Sequence, residues 1–333
     1  MDLENLTITI GEHNFTSSNK AMNVFSVLGP INTAWVALSN LFLTVVLLSS
    51  AHLRTQLRIQ LIVCIAICDM TNGVLVNAFF SNAAIHKTWN LGCPFHFFIQ
   101  LLGVFADVFL TSWYLVIVNA NYFVFLMGFS YRKLSPLADR FVSVVLLALP
   151  INLFCVVPLP IILTRLREVK PSNTFYCPLF LEDNYEVAMC FICFFIPATF
   201  LVIFCACFVI FRKSNKCSRE TLARNLLSET TTVERPIFFV IPTVTMLIMM
   251  MPDQLVNVLF FSNAVAPPTG LGWMFMIFAT METTRAGVLP VMWLFFPDIR
   301  QAVKDKLSCC KQRFKVSATM TVTNVGYKDL QTQ

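Results

Sequence analysis

Residues 281–310 read METTRAGVLPVMWLFFPDIRQAVKDKLSCC. The first half is an apolar helix that carries Glu282 and Arg285 in its middle and Pro290 toward its end. At Pro297 the pattern changes. Ile299, Val303 and Leu307 recur at i, i+4 and i+8 on one face, while Arg300, Lys304 and Lys306 lie off it. A helix of that pattern lies along a membrane surface with its lysines toward lipid headgroups. Cys309 and Cys310 follow where thioester lipids are commonly attached, so both are expected to be palmitoylated. A spanning helix that turns into a surface helix is therefore the first expectation.

The rest of the chain agrees. Hydrophobic residues make up 57% of the 333 and charged residues 13%, with a mean hydropathy of +0.71, too apolar for a soluble domain of this length. An apolar run of about 20 residues spans a bilayer. Seven such runs are expected, at 23–49, 59–82, 95–126, 140–163, 187–211, 236–261 and 271–296. Their helical length excludes the short alternating strands of an outer-membrane barrel. The expected architecture is all-α: an outer tail over 1–22, a seven-helix transmembrane bundle over 23–296, an amphipathic surface helix over 297–310 and a cytoplasmic tail over 311–333. Residues 1–20 are polar and acidic, without the basic start and apolar core of a cleavable signal. No internal repeat of the transporter kind is evident.

Charge sets the orientation. With the first tail outside, the inner loops receive Arg54, Arg58, Arg132, Lys133, Arg140, Arg212, Lys213, Lys216, Arg219, Arg224, Arg235 and a basic C-terminal tail. The outer loops receive only Lys20, Lys87, Arg165, Arg167 and Lys170. The excess predicts an extracellular N-terminus and a cytoplasmic C-terminus. The sequons at Asn5 and Asn14 fall in the same outer tail and are candidate glycosylation sites. The net charge of +6 gathers at one membrane face and implies no nucleic acid. Neither a metal-binding nor a catalytic pattern is found, HExxH included, so no enzyme, metal or cofactor is expected.

Ionisable residues inside the spans mark candidate sites, because charge in lipid is costly. Asn40, Asp69, Asp107, Glu282 and Arg285 form the expected central polar network. Several further features resemble the rhodopsin-like G-protein-coupled receptors. PDIR stands at the family's distance after Pro290, although LPVMW replaces the usual NPxxY. The spacing of Asn40 and Asp69, the first-loop tryptophan and glycine at Trp89 and Gly92, and the helix prolines Pro197 and Pro252 also match. The resemblance covers roughly residues 20 to 310, with each motif degraded, as in lineage-expanded chemoreceptors such as the nematode serpentine receptors.

The resemblance implies a plasma-membrane receptor that couples an extracellular ligand to a heterotrimeric G protein. It implies a disulfide between Cys93 and Cys177, and kinks at Pro197, Pro252 and Pro290. It implies a ligand pocket around Gly103, Asp107, Met189, Cys193, Met250, Asp253, Gln254, Phe275 and Glu282, whose acids suit a cationic small molecule. A neutral ligand among phenylalanines and methionines is the other expectation. On the G-protein side stand Asn121, Tyr122, Arg212, Glu234, Arg235, Trp293 and Arg300. At the inner end of helix 3, NANYF replaces DRY. Counting from Trp89 and Gly92 puts Asn121 in the arginine's place; counting from Cys93 puts Val118 there. Asp69 would line the family's sodium site, and Arg285 is expected to stand in for that ion by pairing with Asp69, Asp107 or Glu282. The competing class is a transporter or channel with a cation path through Asp69, Asp107, Asp253 and Glu282.

Overall fold

The structure, a computed structural model, describes residues 14–86, 93–127, 136–165, 167–168, 179–181, 183–214, 235–262 and 271–308. These residues are helical throughout, save for turns and one short antiparallel pair, β1 (Arg167–Glu168) against β2 (Leu179–Phe180), in which Arg167 faces Phe180. The helices are α1 (Asn14–Ser49), α2 (57–86), α3 (93–126), α4 (136–165, with a break at Val157), α5 (183–214), α6 (Ile237–Phe261), α7 (Leu271–Trp293) and α8 (297–308). Among the described residues, six stretches are long and apolar enough to cross a membrane: Ser26–Ser49, Leu57–Asn77, Phe97–Val124, Arg140–Arg165, Asn184–Phe211 and Ile237–Phe261. In lipid, helices satisfy their own backbone polar groups, which is why such sequences fold this way.

The helices close a ring. α1 packs on α2 and α7, α2 on α3, α3 on α4 and α5, α5 on α6, and α6 on α7. The α3 stretch is the most buried of the six and the α4 stretch the least, so α3 is the inner strut and α4 lies on the outside. α1 begins at Asn14, inside the tail expected to end at 22. No glycine or proline stands between Asn14 and Gly29 to stop a helix there. α7 ends at Trp293 rather than 296. Leu294, Phe295 and Phe296 then donate backbone bonds three residues back, at 3.1 Å each, and α8 starts at residue 297.

Three helices contain π-helical turns: Asn72–Asn77 in α2, Leu101–Asp107 in α3 and Phe191–Phe195 in α5. The last has a local cause, because Pro197 lacks the N–H that would close the next α-helical bond. The first two face each other. Gly103 lies so close to α2 there that a Cβ on it would meet Val76 Cγ1 at 2.6 Å. The missing side chain is what lets the two π turns touch.

Candidate functional site

The contact of those two π turns frames a charged centre. Asp69 lies one turn before the first, and Asp107 closes the second. Arg285 enters from α7, with Nη1 2.9 Å from Asp69 Oδ1 and Nη2 2.7 Å from Asp107 Oδ2. Arg285 and Asp69 are fully buried and Asp107 nearly so. Asp107 also accepts from Asn72 Nδ2 at 2.8 Å and from Thr111 Oγ1 at 3.4 Å. A guanidinium offers five donors in a rigid fork, so one arginine can hold two carboxylates from different helices. π turns are frequent at functional sites, where they re-aim side chains; here Asn72, from the first, bonds Asp107, from the second, which in turn holds the arginine.

Asn40 extends the network on the α1 side. Its Nδ2 donates to Ala286 O at 2.7 Å and to Val36 O at 2.9 Å, and Asn32 Nδ2 donates to Thr283 Oγ1 at 3.2 Å. The approach of α1 to α7 depends on Gly287, where a Cβ would overlap the Trp35 indole. Thus α1, α2, α3 and α7 are joined around one buried cation.

A second acidic group lies between α6 and α7. Asp253 accepts from Asn257 Nδ2 at 3.0 Å, and Glu282 accepts from Gln254 Nε2 at 3.4 Å. Asp253 and Gln254 are buried and Glu282 is half-buried. Met189, Cys193 and Met250 are core residues packed among neighbours. Gly103, expected in the ligand pocket, lies against Val76 of α2. The backbone of Phe275 is helical, and its side chain lies outside the described residues.

At the end of the bundle beside α8 an aromatic stack closes it. The Tyr122 ring on α3 is stacked on Phe239 of α6, with centroids 3.8 Å apart and planes at 13°. Phe239 meets Phe296 edge-on at 5.0 Å, and Phe296 meets Trp293 at 5.9 Å. The Arg58 guanidinium sits over Phe296, 4.7 Å from its centroid, and pairs with Asp298 at the start of α8. Gln56 Oε1 accepts from Arg58 at 3.1 Å. One turn before Tyr122 on α3, Asn119 Nδ2 donates to Thr243 Oγ1 at 3.0 Å and joins α3 to α6.

Tyr122 and Trp293, expected on the G-protein side, are both buried in this stack, where rings gain from packing. Asn121 is half-buried, and Arg235 and Arg300 are exposed. Pro252 and Pro290 lie inside α6 and α7, and Pro197 follows the π turn of α5. Cys93 opens α3 and Asn14 opens α1, but the side chains of Cys93, Asn14 and Arg212 lie outside the described residues. So do Asn5, Cys177, Glu234, Cys309 and Cys310 altogether.

Sequence reasoning missed Asn72, Asn119, Thr243, Phe239, Phe296 and the Arg58–Asp298 pair. A signal existed only for the amides, which stand out in apolar runs. With 33 phenylalanines in the chain, nothing marked two of them. No protein-family profile matches the chain, and no curated protein matches it as a relative.

Proposed function

We propose that the chain is a divergent rhodopsin-like receptor with seven spans, α7 being the seventh, which passes an extracellular signal to a heterotrimeric G protein at its inner face. The observation that carries this reading is the inner end. There α8 turns away from α7 and is held to α2 through Asp298 and Arg58, over an aromatic stack that joins α3, α6 and the α7–α8 turn. A change of packing in the outer half reaches that stack through α6 and α7, and the surface helix fixes one edge of it. The ligand fits between α3, α5, α6 and α7, with Asp253 and Glu282 suited to a cationic small molecule.

The transporter reading needs free carboxylates along a path. Asp69 and Asp107 are instead occupied by a cation built into the protein, Arg285. The test is a small-molecule library screened on cells carrying reporters for each G-protein class, beside cation flux in proteoliposomes. Ligand-stimulated nucleotide exchange on a heterotrimer supports the receptor. Flux without exchange assigns the chain to transport.

A further inference from the structure

The outer face of α4 carries an amide at mid-depth. Asn152 is exposed, about 18 Å along the axis from Arg140 and about 20 Å from Arg165, the charged ends of that span. It therefore sits near the centre of the hydrocarbon layer and faces lipid. Its Nδ2 donates to Ala148 O at 3.0 Å. That leaves the second N–H and the amide carbonyl with no lipid group to bond, a costly state in hydrocarbon. The opposite face of the helix is committed to the bundle. Leu147 O accepts from the Tyr114 hydroxyl at 3.0 Å, and Phe154 packs on Phe109 at 5.5 Å. Asn152 cannot be satisfied by turning inward without breaking those contacts.

We propose that α4 is the face through which two copies of this chain pair side by side in the membrane, with Asn152 of each hydrogen-bonded to Asn152 of the other. Three features select a second copy. An amide is both donor and acceptor, so it complements itself across a two-fold axis. Two copies inserted in the same orientation carry Asn152 at the same depth, a match that an unrelated helix has no reason to offer. Phe141, Val145, Ala148, Asn152 and Cys155 recur at alternating steps of four and three, the repeat of a left-handed helix pair, with Ala148 small enough for close approach. Phe141, Val145, Asn152 and Cys155 are exposed and Ala148 is half-buried. The inference needs only that α4 spans the membrane and does not rest on the receptor reading.

Cys155 supplies the test, since it is an exposed free thiol one turn from Asn152. Mild copper-phenanthroline oxidation of native membranes is expected to give a covalent band of twice the chain mass that Cys155→Ser abolishes. Asn152→Leu is expected to lower that band and to weaken dimerisation roughly tenfold in single-molecule photobleaching at matched density, the order of one interhelical amide contact in a bilayer. Asn152→Gln is expected to retain it. Because Asn152 faces lipid, Asn152→Leu leaves the bundle folded, and unchanged surface expression checks this. The proposal is overturned by an Asn152→Leu variant that pairs as well as wild type, by single-step photobleaching of wild type, or by a crosslinked band of another mass.

Discussion

At the scale of single residues, the centre holds two carboxylates and one guanidinium away from water, and the imbalance makes the members unequal. Arg285→Gln strands both acids, and breaking a buried pair in this way costs roughly 3–5 kcal/mol. Asp69→Asn leaves Arg285 with Asp107 and is expected to cost much less. Thermal unfolding in detergent orders the two variants; a larger loss for Asp69→Asn would contradict the assignment of Arg285 as the hub. Exchanging choline for sodium at fixed ionic strength is expected to leave the midpoint of the wild type unmoved, and to raise it for Arg285→Asn, where the cavity has lost its own cation. Gly103 gives a separate test. Gly103→Ala pushes a methyl into Val76 and is expected to destabilise by about 1–3 kcal/mol, as overpacking does. Adding Val76→Ala should recover most of that loss in a double-mutant cycle.

At the scale of elements, the aromatic stack joins α3 and α6 beside α8. Under the receptor reading, Phe296→Ala and Asp298→Asn raise ligand-independent nucleotide exchange severalfold at matched surface expression; exchange at the wild-type level in both would remove the stack from the mechanism. Asp69, Asp107, Glu282 and Arg285 were legible in the sequence because a charge inside an apolar run is conspicuous. Which of them meet was not. Hydropathy is blind to whether a helix bonds four or five residues back, so the π turns at Asn72–Asn77 and Leu101–Asp107 left no trace. A π turn absorbs an extra residue and shifts the phase of all that follows. Counting along α3 from Cys93 or from Gly92 assumes an even winding that this helix lacks. The Arg58–Asp298 pair was hidden for another reason: its members stand 240 positions apart, and each alone reads as an ordinary loop charge.

At the scale of the whole molecule, the orientation read from loop charge yields a plain experiment. An epitope at the N-terminus is expected to be stained on intact cells and one at the C-terminus only after permeabilisation; the reverse pattern would invert every inner and outer assignment made above. The buried ion pairs and the amides beside them tie α1, α2, α3 and α7 together. α6, joined to α3 and α7, carries two prolines, Pro242 and Pro252, within one continuous helix. Each removes a backbone bond and opens a notch on one side of the rod. At about 100° per residue, ten residues turn the second notch about 80° from the first. A bend at each proline would lie in a plane nearly perpendicular to the other, so the pair would act as a universal joint for the end of α6 that carries Phe239. Pro242→Ala would leave a plain hinge confined to a single plane.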